Sequence, residues 1–232
     1  MELIWRGFAE AVRLIVTGDP DVLQITWLSL QISGGATLLS LLGGIPAGMA
    51  LALARFPGRA LCVALVNTGM GLPPVVVGLF VSIFLWRSGP LGVLELLYTP
   101  TAIVIAQFVI AAPIVMGLTI AAMQQLNPKL RLQLLGLGAS RWQLLWLLMR
   151  EARLPLLAAV MAGFGGVISE VGASMMVGGN IEGLTRNIPT AIALETSKGE
   201  FGLGIALGMI MLIVAFTINL LFYYLQEKGR IM

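Results

Sequence analysis

The chain of 232 residues holds no histidine and a single cysteine, Cys62. Imidazole general bases, Ser-His-Asp triads, histidine proton relays, intrachain disulfides and His/Cys metal sites are excluded at once. The acids are scattered too widely for a paired acid/base site. No Gly-x-x-x-x-Gly-Lys-Ser/Thr phosphate loop occurs, so the chain has no such nucleotide site of its own. What remains is one sparse polar set. Ser169, Glu170 and Ser174 lie in or beside an apolar run, and Gly178, Gly179, Asn180, Thr185 and Arg186 follow it. Hydroxyls, an amide and one guanidinium make a set of hydrogen-bond donors, and Arg186 is the only base among them.

The elements that must carry this set are membrane helices. Hydrophobic residues make up 58% of the chain and charged residues 11%, under half the ~25% usual in soluble domains. The mean hydropathy is +0.96. Such a composition cannot cover the surface of a soluble fold, so the class is an all-α polytopic membrane protein. Apolar stretches predict spans over about 25–54, 61–86, 101–123, 154–177 and 201–224. Pro46 and Pro113 lie inside the first and third. The second contains Pro73-Pro74, which must break its hydrogen-bond ladder, and such a break survives at membrane depth only beside protein or a wet cavity. A 20-residue polar loop is expected after the fourth span.

Residues 1–21 read as an interfacial helix and the turn that ends it. Ile4, Phe8, Val12 and Ile15 recur on one face, with Arg6, Glu10 and Arg13 on another. The opening residues mix acids and bases with apolar side chains, unlike a cleaved export signal. The permeating body is then 22–225 and the tail 226–232. Nine of the 14 Lys and Arg residues fall on the side holding Arg55, Arg59, residues 124–153 and the C-terminus. That side is expected to be cytoplasmic, with the N-terminus outside. Glu170 is the one acid well inside a span, where an ionised carboxylate costs ~2.5–3.5 kcal/mol. It is either bonded to a neighbouring helix or loop, or part of a pore or gate.

The 124–153 segment is long for a helix connection and rich in Leu and Trp. Gly136 and Gly138 divide it, which predicts two short helices meeting at an angle. So many apolar side chains must be buried, either on the chain's own bundle or against a soluble partner.

Here the sequence resembles the permease subunits of ABC importers. Gly138-Ala139-Ser140-Arg141-Trp142 and Leu154-Pro155 match their cytoplasmic signature, while Leu132-Gln133-Leu134 stands where the family has Glu-Ala-Ala. Residues 71–79, 87–92, 169–174 and 178–186 resemble the molybdate/sulfate branch, and 190–201 is most similar to the tungstate-uptake permeases. The resemblance implies a type I importer fold and a homodimer. It implies an ATPase dimer docked on Leu132, Gln133, Leu134, Gly136 and the 138–142 motif, and an external oxyanion-binding protein. ATP would be bound by the partner, with no cofactor and no nucleic acid on this chain. Pro73, Pro74, Ser169, Glu170 and Ser174 then become candidates for the path or gate. The outer set from Gly178 to Arg186 either touches the oxyanion or holds the binding protein. The expected cargo is tungstate, with molybdate or sulfate as the alternative. An ion-coupled secondary transporter is the more distant reading and would call for more intramembrane acids or an internal repeat.

Overall fold

A computed structural model describes residues 2–231, among which helices are the only regular elements. After α1 (Glu2–Thr17), Asp19 starts the first long helix. Its Oδ1 accepts hydrogen bonds from the Asp21 and Val22 amides, both at 3.1 Å, and Pro20 presets φ at the first helical position. This helix, α2 (Pro20–Leu53), runs through Pro46 without ending. Its 34 residues extend about 51 Å at ~1.5 Å each, against a hydrocarbon core of ~30 Å, so it must tilt or protrude. α2 packs chiefly along α5 (Pro100–Gln124) through small residues. Ser29, Thr37 and Ser40 are buried and donate to the carbonyls of Ile25, Ser33 and Ala36, so their hydroxyls cost little inside the seam. Gly48 lets the backbones meet, since a Cβ there would stand 2.8 Å from the Met116 carbonyl.

The second apolar stretch breaks at its prolines. α3 (Arg59–Met70) and α4 (Pro74–Leu85) are bent by 105°. Pro73 begins α4, its carbonyl accepting from the Val76 and Val77 amides at 2.9 and 3.2 Å. Two short helices, α6 (Pro128–Gly136) and α7 (Arg141–Glu151), occupy the 124–153 segment as expected. α7 and α8 (Arg153–Ile168) are bent by 72°. α11 (Phe201–Ile231) closes the bundle. Among the described residues three helices are long and apolar enough to cross a membrane, or up to five segments if each bent pair is one span.

Two expectations need correction. The fourth span is not continuous over 154–177: α8 stops at Ile168, and α9 (Gly172–Gly178) starts after a break at 169–171. No proline marks this break. α4 presses against it, so that a Cβ on Gly172 would lie 2.6 Å from Val75 Cγ2. The loop after it also contains a helix, α10 (Ile188–Ser197), begun by a capping box between Asn187 and Thr190. Its Ile188 and Ala191 are buried against Val22, Leu207 and Ile210. α1 meets α11 through its small face, which leaves the apolar stripe of the expected interfacial helix open. Ala11 is buried and Gly7 receives Ile205, while Ile4, Phe8, Val12 and Ile15 stay exposed. The tail expected at 226–232 overlaps the end of α11, and Met1 and Met232 lie outside the described residues.

Candidate functional site

The 124–153 segment is built by its caps. Asn127 Oδ1 accepts from the Lys129 amide at 2.9 Å and starts α6. At the other end the Ala139 amide donates to Leu134 O and the Gly138 amide to Leu135 O, a paired C-terminal closure that needs a left-handed residue. Gly138 supplies it with φ +82°. Ser140 then opens α7: its Oγ accepts from the Gln143 amide at 3.3 Å, and Gln143 Oε1 accepts from the Ser140 amide at 2.8 Å. Gly138, Ala139 and Ser140 therefore fix the corner between two short helices.

The inner face of that corner is locked to the bundle. Leu144 and Leu148 are buried with Met49, Met123, Ala152 and Leu156, and Leu130 and Leu134 pack against them. Arg131 Nη1 donates to Leu53 O at 3.2 Å, and Arg59 Nε to Leu51 O at 2.6 Å, so two guanidiniums satisfy the last carbonyls of α2. The outer face is uncovered. Leu132 is 69% exposed, Leu137 84% and Trp142 82%, while Gln133, Gly136 and Arg141 are also exposed. A cleft of about 510 Å³ lies between Leu137, Gly138, Gln143 and Trp146. Apolar side chains this exposed, among basic residues that keep the segment in water, mark an interaction surface.

A second constellation surrounds the two breaks. A Cβ on Gly78 would stand 2.7 Å from Ala173 Cα, so α4 and α9 touch, and Val75 at the start of α4 meets Gly172 at the start of α9. Glu170 is buried, and its Oε1 accepts from the Ala173 amide at 2.9 Å, binding the first turn of α9. Ser169 is exposed and its Oγ donates to Gly165 O at 3.2 Å. Ser174 is buried and its Oγ accepts from Gln107 Nε2 at 3.4 Å. Gln107 escaped the sequence reading, although a lone amide deep in a 25-residue apolar helix was the available signal. Its Oε1 is buried without a hydrogen-bond partner among the described residues.

Residues 178–190 form a self-contained corner. Thr185 is buried; its Oγ1 donates to Gly178 O at 2.6 Å and accepts from the Ile181 amide at 2.8 Å. Asn180 Nδ2 donates to Thr190 O at 3.4 Å. Gly179, at φ +70°, lies under the Tyr98 ring, and the Tyr98 amide donates to Val177 O at 2.8 Å. Gln24 and Ser29 of α2 tie down Gly183 and Ile188. Arg186 pairs with Glu182 at 3.3 Å. The 320 Å³ cavity beside Arg186 is also lined by Asp19, Asp21, Glu182 and Glu195, so its net charge is negative.

With this geometry in view, the sequence comparisons decide the class. The family described as "Binding-protein-dependent transport system inner membrane component" matches residues 44–230. The chain belongs to this family. The permease is 41% identical over 228 residues to the "Tungstate uptake system permease protein TupB" of Peptoclostridium acidaminophilum, covering 98% of this chain and 100% of that one. It is 35% identical to the protein of the same name from Campylobacter jejuni, over 98% of this chain and 95% of that one. It is 32% identical to the "Molybdenum transport system permease protein ModB" of Escherichia coli K12, over 87% and 94%. Among solved structures, the inward-facing MetNI methionine ABC transporter superposes with a TM-score of 0.73 at 18% identity, covering 90% of the permease and 96% of that chain. That likeness bears on the fold, which is that of type I importer permeases. The permease is thus an inner-membrane transport subunit of the tungstate/molybdate/sulfate branch and not an enzyme; ATP hydrolysis belongs to a separate subunit.

Proposed function

We propose that the permease imports tungstate, working as a homodimer whose cytoplasmic ATPase subunits grip α6 and α7. The observation that carries docking is the two-sided character of this segment. One face is fixed to the ends of α2, α5 and α8, and the other leaves Leu132, Leu137 and Trp142 in water. A pull on the outer face moves the helices fixed to the inner one, because packed helices shift as bodies. This is how ATPase closure drives alternating access. The excess of Lys and Arg near this segment supports a cytoplasmic C-terminus and an external N-terminus. Tungstate, rather than molybdate or sulfate, rests on the whole-length similarity to two tungstate permeases.

In this reading the breaks at Pro73-Pro74 and Ser169–Val171 shape the path. Glu170 holds α9 in place rather than meeting the cargo, because its charge would repel a dianion. The corner formed by Gly178, Gly179, Asn180, Thr185 and Arg186 gives the external binding protein a firm seat. The apolar stripe of α1 faces lipid. The test is uptake by proteoliposomes holding the permease, its ATPase and the binding protein. ATP-dependent accumulation of tungstate in preference to molybdate and sulfate is expected. Uptake by the permease without the ATPase would overturn the mechanism, and preference for another ion would overturn the substrate.

A further inference from the structure

Asn67, near the end of α3, is an exposed polar residue that fits an apolar surrounding poorly. Its depth follows from α5. A Cβ on Gly69 would stand 2.8 Å from Pro113 Cβ, and Met70 meets Gly117. Pro113 lies near the midpoint of Pro100–Gln124, so the end of α3 lies halfway through the bundle. Asn67 precedes Gly69 by two residues, about 200° around a helix of ~3.6 residues per turn, and so points away from α5. It is exposed and makes no hydrogen bond with any described residue.

Exposed Thr68, Thr217 and half-buried Asn219, also within apolar helices, behave differently. Thr68 Oγ1 donates to Ala64 O at 2.9 Å, Thr217 Oγ1 to Ile213 O at 2.7 Å, and Asn219 Nδ2 to Ala215 O at 2.9 Å. Each returns its proton to its own helix. Gln31 is exposed like Asn67, but it lies one turn before Gly35, which packs on Val104 near the outer end of α5. Its amide can reach the membrane boundary. Asn67 has no such route. An amide moved from water into hydrocarbon without a partner loses its hydrogen bonds to water and gains nothing in return. The backbone beside it compounds the problem, because Gly71, Leu72 and Pro73 form an exposed non-helical turn. Irregular backbone at this depth requires water or protein beside it.

We infer that Asn67 lines the wet translocation path and donates its side-chain amide to the passing oxyanion. The inference rests on the oxyanion-import reading above and names the group that touches the ion. A tetrahedral dianion offers only acceptors, and an Asn amide has two N–H donors without net charge. A neutral donor recognises the ion yet releases it, as conduction requires. Ser169, exposed on the break before α9, which packs on α4, has a hydroxyl already partly engaged with Gly165 O.

The test uses the assembled importer, with Cys62→Ala as background. Asn67→Cys is expected to react with the anionic, membrane-impermeant reagent methanethiosulfonate ethylsulfonate, and tungstate should slow the reaction. Asn67→Asp, nearly isosteric but negative, should lower tungstate uptake about tenfold or more by charge repulsion in a poorly screened path, with the ATPase still bound. Asn67→Gln should retain uptake. Reaction with an apolar maleimide alone would show a lipid-facing residue and overturn the inference. A spontaneous disulfide between two copies of the Asn67→Cys variant, with no labelling, would show a dimer contact and also overturn it. So would wild-type uptake by Asn67→Asp. Failure of the unsubstituted importer to move any oxyanion would instead remove the functional reading itself.

Discussion

The corner at 138–142 and the corner at 178–190 are built from similar parts and finished in opposite ways. Both use a left-handed glycine and a capping box, Gly138 with Ser140–Gln143 and Gly179 with Asn187–Thr190. The corner at 178–190 then turns its polar groups inward. Thr185 satisfies two backbone groups, and α2 reaches over to bind Gly183 and Ile188. The corner at 138–142 turns its apolar groups outward, with Leu137 and Trp142 more than four-fifths exposed. A segment that satisfies itself is suited to be a rigid platform. One that leaves its largest side chains in water is completed by another molecule.

That contrast can be broken from either side. Replacing Leu137 and Trp142 together by Glu should have the largest effect, cutting ATPase affinity about 100-fold or more, as removal of two central interface anchors does. The permease itself should melt as before, because neither side chain is in its core; a pull-down and a thermal melt in detergent read the two halves. Thr185→Val reverses the pattern. Leaving Gly178 O and the Ile181 amide unpaired should lower stability by about 2–3 kcal/mol, seen as an earlier melt, while the ATPase still binds.

Gly138→Val tests the corner rather than its surface. A β-branched residue at φ +82° costs about 1–2 kcal/mol, and the angle between α6 and α7 must change to relieve it. The expected result is a folded permease that binds the ATPase and lets it hydrolyse ATP without matching uptake, measured as the ratio of ions moved to ATP consumed. The smallest effect belongs to Glu170→Gln. The amide oxygen still accepts from Ala173, so uptake should stay within about twofold, whereas Glu170→Ala should lose about 1 kcal/mol of stability with the cap. A large loss of uptake in Glu170→Gln at unchanged stability would make the carboxylate a gate.

The long helices were legible because apolar length alone specifies α2, α5 and α11, and the break at Pro73-Pro74 was legible because proline removes a donor. The break at 169–171 was not. It follows from the approach of α4 to Gly172, a contact between residues about a hundred positions apart. The packed face of α1 was hidden for a related reason: hydrophobicity points to Ile4 and Phe8, while Gly7 and Ala11 make the contact. In a protein surrounded by lipid, helices meet through small residues, and a hydrophobic stripe does not identify the buried side. α10 left a readable sign in Asn187, Pro189 and Thr190, masked by the polar residues around it. The 138–142 motif exposed both its geometry and its position, since stop and start residues sit side by side in it.

Docking of an energy-supplying subunit on the face of Leu137 and Trp142 can be tested with a single thiol. Leu137→Cys, made in the Cys62→Ala background, should react with a membrane-impermeant thiol reagent in inverted vesicles, and bound ATPase should suppress that reaction. Reaction only in right-side-out vesicles, or at a rate the bound ATPase leaves unchanged, would contradict the account.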